Sequence, residues 1–217
     1  MKGLLIKDFK LMKAQKNFFT VIVVVCFIMI ATMEEATFAI GFLGFAGALF
    51  TLSSISYDEF DNGNAFLFSL PITRKTYVLE KYCFGLIVSS CAWLFGVIIT
   101  ILFTVVNNSG SPLEQVLSAI VLFSVVVIML AIMLPIDLKF GGEKGRIVIL
   151  AVVGIICVLG ILAGRIQNAL KLDVSAAISW LSGIDESVFL VAAVVIALVA
   201  LGLSYWISCG IIYKKEF

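Results

Sequence analysis

The sequence predicts an all-α membrane protein with six transmembrane helices. Of its 217 residues, 62% are hydrophobic and only 13% are charged, and the mean hydropathy is +1.19. Soluble domains are about 45–50% apolar and about 25% charged. Because so apolar a chain has too few polar side chains to cover a water-facing surface, lipid must be part of its solvent.

Long runs without charge supply the helix count. A helix rises about 1.5 Å per residue, so roughly 20 apolar residues cross a bilayer, and in lipid such a run must be helical to pair its own backbone groups. The first and fifth runs are near the lower limit of spanning length, and buried re-entrant segments are the alternative there. The six runs are 17–33, 36–56, 83–106, 116–135, 147–163 and 188–212.

The basic residues indicate the orientation of these spans. With six spans, both termini and the second and fourth connectors share a side, which then holds thirteen of the fifteen Lys and Arg residues, and only Arg165 and Lys171 lie opposite. Such a bias places both termini in the cytoplasm. The thirteen are Lys2, Lys7, Lys10, Lys13, Lys16, Arg74, Lys75, Lys81, Lys139, Lys144, Arg146, Lys214 and Lys215.

Residues 1–16 predict an amphipathic interfacial helix that precedes the 17–217 transmembrane domain. Leu5, Phe9 and Met12 recur at helical spacing among five lysines. This pattern is typical of a helix that lies on the inner leaflet with its apolar face toward the lipid and its lysines toward anionic headgroups. Alternatively, the lysines only enforce the orientation of the chain.

Small residues at three- and four-residue spacing indicate sites of close helix packing. Gly41, Gly44 and Ala48 lie in the second span, and Gly160 and Gly164 form a GxxxG pair at the fifth. Such residues let helix backbones approach closely, within one chain or between two copies.

The chain lacks the residues that several classes of function require. The chain has no histidine, and its five cysteines form no CxxC pair, which excludes His-based catalysis and the common metal-site patterns. There is no phosphate-binding GxxxxGK loop, and a net charge of +1 gives nucleic-acid binding no support. We therefore expect no enzyme, no cofactor and no metal in this chain.

The 57–82 connector carries the most specific pattern. After Asp58 and Glu59 it holds a short apolar helical turn over 65–70, then Pro71, and Thr73 is placed to cap a helix that continues into the third span. We expect its apolar residues to be exposed on a cytoplasmic docking surface, with burial in the inner leaflet as the alternative. These residues are Phe66, Leu67, Phe68 and Leu70.

The segment Ser69–Lys75 (Ser-Leu-Pro-Ile-Thr-Arg-Lys), together with residues 137–146 after the fourth span, resembles the membrane subunits of type-two ATP-binding-cassette exporters. Within them it is most similar to permeases that export phenol-soluble modulins, which are amphipathic bacterial peptides. The resemblance covers essentially the whole chain. It implies an exporter permease without its own ATPase site, moving amphipathic or hydrophobic cargo such as antimicrobial peptides.

The resemblance also implies partners and residue roles. Two separate cytoplasmic ATPase subunits would bind ATP and Mg²⁺, a second permease copy would complete a homodimer, and short outer helices would occupy the 164–187 extracellular loop. The first inner loop would act as a coupling helix, supported by the second. The implied coupling residues are Glu59, Phe68, Leu70, Pro71, Thr73, Arg74, Lys75, Glu143, Lys144 and Arg146.

A rival hypothesis from another class is a non-transporting immunity or sensor protein. It would bind a peptide or lipid within the helix bundle and would need no ATPase. Such a protein should tolerate Arg74→Ala or Leu70→Asp, whereas a coupling loop should not.

Overall fold

A computed structural model of the protein describes residues 1–32, 37–60, 63–107, 111–142, 144, 145, 147, 148, 150, 151, 154, 158, 162 and 185–215. The described part of the chain contains helices and no strand. The helices with defined bounds are α1 (Lys2–Ala14), α2 (Lys16–Thr32), α3 (Thr37–Glu59), α4 (Gly63–Ser69), α5 (Arg74–Asn107), α6 (Pro112–Phe140) and α7 (Glu186–Lys214).

Four of these helices are long and apolar enough to cross a membrane, namely α3, α5, α6 and α7. Helices α1 and α2, which are bent by 64° relative to each other, would add a fifth crossing if the pair forms one broken span. This confirms an all-helical membrane protein but not the count of six. The predicted span 147–163 and the outer loop 164–187 lie almost entirely outside the described residues, as does the turn at Glu34 and Glu35.

The bend at Gln15 separates α1 from α2, close to the predicted boundary between an interfacial helix and a first span. The apolar stripe of α1, however, contacts protein. Phe9 packs edge-on against Phe84 of α5, with ring centroids 5.4 Å apart, and Leu5 and Met12 join the same cluster. The predicted stripe therefore packs in part on the helix bundle, and the interfacial position of α1 stays a prediction.

Helices α3 and α5 make the closest backbone approach. A Cβ atom added to Gly47 would lie 3.0 Å from the Cα atom of Ser89, so only glycine permits this contact. Gly41 and Gly44 face the side chains of Leu122 and Val126 of α6, from which an added Cβ atom would lie 3.5 and 3.2 Å away, and Ala48 is buried in the core. In the described residues, these small side chains thus contact helices of their own chain.

The ends of the helices sort into two groups. At one end, the Thr37 hydroxyl at the start of α3 lies 2.9 Å from the Gln115 side chain near the start of α6. At the other end, the last residues of α3, α6 and α7 meet the first residue of α5, through Glu59, Arg74 and Lys215. This second end also receives α1, and it holds the candidate site.

Candidate functional site

Helix α4 is the short apolar helix that the 57–82 pattern predicts. It begins at Gly63, four positions after the last residue of α3. Gly63 allows α4 to start close to the end of α3, because a Cβ atom there would lie 2.6 Å from the carbonyl oxygen of Asp58. On its inner face Leu67 is 7% exposed, and Phe68 packs edge-on against Tyr77 at 5.5 Å. Helix α4 is thereby fixed to the core.

The outer face of α4 remains exposed. Phe66 is 72% exposed and Leu70 is 44% exposed, and Phe60 and Pro71 on either side are exposed too. We name these four residues the α4 surface. The sequence correctly predicts exposure of Phe66 and Leu70, but the expectation for Leu67 and Phe68 was wrong, because α4 has two faces and these side chains occupy the inner one.

Thr73 caps α5 as expected. Its hydroxyl accepts a hydrogen bond from the backbone N–H of Thr76 at 3.2 Å, and α5 begins at Arg74. Lys75 is exposed next to the α4 surface. The guanidinium of Arg74 points elsewhere: it donates to the carbonyl oxygens of Ile212 and Tyr213 at 3.0 and 2.5 Å. Arg74 therefore satisfies backbone groups at the carboxyl end of α7.

Glu59 joins the ends of three helices. Its Oε2 accepts a hydrogen bond from the backbone N–H of Gly142 at 2.7 Å, and its Oε1 accepts one from Lys215 Nζ at 2.9 Å. Lys215 also donates to the carbonyl of Leu138 at 3.1 Å. The second inner loop thus contacts the first through the backbone of Gly142, a residue for which the sequence predicted no role.

The glycine pair after α6 makes room for Glu59. Gly141 has a φ of +83°, a conformation that side-chain-bearing residues rarely adopt, and a Cβ atom there would lie 2.5 Å from Glu59 Oε2. A Cβ atom on Gly142 would overlap Ser56. In the sequence alone, the two glycines indicate only a glycine-rich loop and do not reveal the contact with Glu59.

The remaining predicted residues are less informative. Lys144 is exposed and makes no described contact with the α4 surface. Glu143 and Arg146, predicted to support the first loop, and Gly160 and Gly164, predicted to pack helices, lie outside the described residues. Their predicted roles stay predictions.

A buried group of charges lies behind α4, and the sequence analysis missed it. The side chain of Lys81 has 0% exposure, yet its Nζ lies 2.6 Å from Asp8 Oδ2 and 2.7 Å from Asp58 Oδ2. Lys7 pairs with Asp58 as well, and its Nζ lies 3.2 Å from Asp8 Oδ1. We call Lys7, Asp8, Asp58, Glu80 and Lys81 the ion cluster.

Hydroxyl groups complete the ion cluster. Lys81 donates to Ser54 Oγ at 2.7 Å, Ser54 donates to Asp8 Oδ2 at 2.8 Å, and the Tyr77 hydroxyl donates to Asp58 Oδ2 at 3.2 Å. Glu80 is fully buried as well, 3.7 Å from the ammonium group of Lys81. Buried charges persist only where such partners replace water, so the ion cluster holds α1, α3 and α5 together.

One sequence signal could have found the ion cluster. Asp8 is the single acid among residues 1–16, and it sits next to Phe9 of the apolar stripe. An acid at the edge of a packed stripe needs a cationic partner. The partner Lys81 is 73 residues away, however, and only the fold brings the two together.

The arrangement links a short exposed helix to the ends of several longer helices. No nucleophile and base are paired in it, and the described residues contain no group of side chains that could hold a metal ion. Instead, an exposed apolar surface stands on a short helix whose base is linked to Asp58, Glu59 and Tyr77, and through them to α1, α5, α6 and α7. A partner that moves α4 would move the ends of several membrane helices.

Comparison with known proteins gives the family. A family model described as ABC-2 family transporter protein matches residues 3–213. No curated protein and no solved structure matches the chain. The family match covers nearly the full length of the chain. The chain therefore belongs to the ABC-2 family of transporter proteins, as a multi-pass plasma-membrane permease subunit that works with separate ABC ATPase subunits.

Proposed function

We propose that this chain is the permease subunit of an exporter that moves amphipathic or hydrophobic cargo out across the plasma membrane, with α4 as its coupling helix. The exposed α4 surface on a firmly anchored helix carries the proposal. Aromatic and aliphatic anchors on a short helix are what a groove in a partner protein recognises. The motor is the partner ATPase, which binds ATP and Mg²⁺.

The coupling step follows from the way in which α4 is anchored. ATP binding would bring two ATPase subunits together and displace the two α4 helices they hold, one in each copy of a permease homodimer. Leu67 and Phe68 fix α4 to the core, and Glu59 ties its base to α6 and α7. The displacement would therefore tilt the spans as a group. We propose six spans in each copy.

The proposed cargo is an amphipathic peptide of the phenol-soluble modulin or antimicrobial type. The apolar stretches of the described spans carry hydroxyl groups but no charge; among these are Thr100, Thr104, Ser124 and Ser204. A charge inside a span usually marks an ion or proton pathway. A path that opened between spans of this composition would suit a cargo with an apolar face and would fit an ion poorly.

Isolation of the native complex tests the proposal. The permease, purified under mild conditions from the cells that make it, should bring with it a nucleotide-binding protein, and efflux of amphipathic peptide should depend on that protein. Leu70→Asp should abolish both copurification and efflux. A permease that is recovered alone, and that protects cells from peptide with Leu70→Asp as well as without it, would favour the non-transporting immunity or sensor protein.

Arg74→Ala is a poor probe for this purpose. Because Arg74 binds the carbonyl groups at the end of α7, its loss disturbs the permease itself. Lys75 is exposed beside the same surface, so Lys75→Ala tests contact with the ATPase without that complication.

A further inference from the structure

A cavity of about 270 Å³ lies at the bend between α1 and α2. Its walls come from α1, α2, α3 and α5 and are apolar apart from the Cys91 thiol. An engineered cavity of about 150 Å³ already accepts benzene, so this one has room for several methylene groups. The residues that form it include Phe9, Met12, Phe19, Ile22, Gly47 and Ala92.

The cavity is open toward the bilayer. Ile87, Cys91 and Phe95 line it along α5 and are exposed, so the cavity forms a groove on the membrane-facing side of the bundle. From Ile87 to Phe95 the groove follows α5 for about 12 Å. An elongated apolar ligand could enter it sideways, without passing through water.

Two lysines flank the end of the groove at the bend. Lys13 is four residues after Phe9, and therefore on the same face of α1 one turn closer to the bend. Lys16 is the first residue of α2, one turn before Phe19. Both lysines are exposed, and no salt bridge in the described part of the chain engages either of them.

We propose that the groove binds one acyl chain of an anionic phospholipid, with the headgroup phosphate held by Lys13 and Lys16. The apolar walls match the chain, and the two cations at the mouth match the phosphate at the depth where an interfacial helix meets the first span. A bound lipid would fill the space between α1 and α5 and so fix the angle of the bend. This inference does not depend on the proposed cargo or on the docking of an ATPase.

Native mass spectrometry on the full-length permease tests the site. The protein is reconstituted in nanodiscs that contain equal amounts of phosphatidylglycerol and phosphatidylcholine, released, and examined for retained lipid. We expect one phosphatidylglycerol per chain. Ala92→Phe should lower that retention at least tenfold by filling the groove. Ala192→Phe on the exposed face of α7 is the matched control and should leave retention unchanged.

The headgroup contact has its own matched pair. Lys13→Gln with Lys16→Gln should remove the preference for phosphatidylglycerol, whereas Lys2→Gln with Lys10→Gln, which removes two positive charges from α1 away from the bend, should preserve it. Unchanged retention in Ala92→Phe, or equal loss of preference in both lysine pairs, would overturn the proposal.

A measurement on the unaltered protein guards against misfolded variants. Phosphatidylglycerol with a photoreactive group in its acyl chain should label residues 19–23 and 87–95. Labelling spread evenly over the exposed faces of α6 and α7, or occupation of the groove by a peptide instead of lipid, would equally overturn it.

Discussion

Lys81 sits without solvent contact at the point where three helices meet. Burying an ammonium group costs several kcal/mol unless partners replace its water, and here Asp8, Asp58 and Ser54 do so at 2.6 to 2.7 Å. Lys81 of α5 thereby links α1, through Asp8, to α3, through Asp58 and Ser54. Removing it leaves Asp8 and Asp58 with only the partly exposed Lys7 as a cation and takes from Glu80 the cation 3.7 Å away.

We expect Lys81→Met to destabilise the permease by about 3–5 kcal/mol, the cost of breaking a buried ion pair by removing one partner. Thermal unfolding of the detergent-solubilised protein checks this. Lys75→Met, the same change on the exposed side of the same helix, is the control and should shift the melting temperature little. Equal shifts for the two variants would mean that the ion cluster does not hold the helices together.

Gly141 is a second residue whose identity the fold requires. Its φ of +83° costs a side-chain-bearing residue about 1–3 kcal/mol, and a Cβ atom there would press on Glu59. Gly141→Ala should therefore lower the free energy of unfolding by that amount. At Gly210 nothing lies within 4 Å of an added Cβ, so Gly210→Ala should leave stability unchanged or raise it slightly. A tolerated Gly141→Ala would contradict the role given to Glu59.

Residue-scale contacts were the part of the site that sequence could predict least. The sequence predicted the cap at Thr73, because a hydroxyl before a helix is a local pattern, whereas Glu59 was named as a coupling residue only through the family resemblance. It could not pair Asp8 with Lys81 or Glu59 with Gly142, since these contacts join residues 73 and 83 positions apart. Such pairs depend on how the helices pack.

At the scale of the element, α4 divides its apolar side chains between two tasks. Leu67 and Phe68 belong to the core, and Phe66 and Leu70 remain outside. A helix of seven residues makes about two turns, so it can present one face to the core and the opposite face to the outside. The same substitution at neighbouring positions of α4 should therefore have different effects, on ATPase binding at Phe66 and on stability at Leu67.

Phe66→Asp should weaken ATPase binding while the fold is kept. Loss of a central aromatic anchor costs about 2 kcal/mol, roughly thirtyfold in affinity, and titration of purified ATPase with detergent-solubilised permease measures it. Leu67→Asp should instead lower the melting temperature sharply, because it buries a carboxylate in the core. If Phe66→Asp binds ATPase normally, the α4 surface is not the docking site.

The elements themselves were largely predictable. Apolar runs located α3, α5, α6 and α7, and the basic alternating stretch located α1, because length and composition control insertion into a bilayer. The packing of the α1 stripe against α5 was missed, since a lipid-facing stripe and a stripe packed on protein have the same sequence pattern.

At the scale of the whole molecule, the helix ends define two faces. Residues that carry most of the positive charge meet at the end where Glu59, Arg74 and Lys215 interact, and Asn107 lies at the opposite end of α5. That this basic end is cytoplasmic stays a prediction.

Cysteine labelling tests that orientation. In a chain whose native cysteines are replaced by serine, Lys75→Cys should react with a membrane-impermeant reagent only after the cells are opened, and Asn107→Cys should react in intact cells. The reverse pattern, or labelling of both residues from the same side, would show that the assignment of faces is wrong.

The central claim is that an ATPase subunit binds the α4 surface. Site-specific crosslinking tests this contact most directly. A photoreactive amino acid replaces Phe66 in one variant and Val106, which is exposed at the far end of α5, in another. Illumination of intact membranes should join the permease to the nucleotide-binding subunit from position 66 and not from position 106. A permease that crosslinks from position 66 only to lipid, while the ATPase is present, would contradict the account.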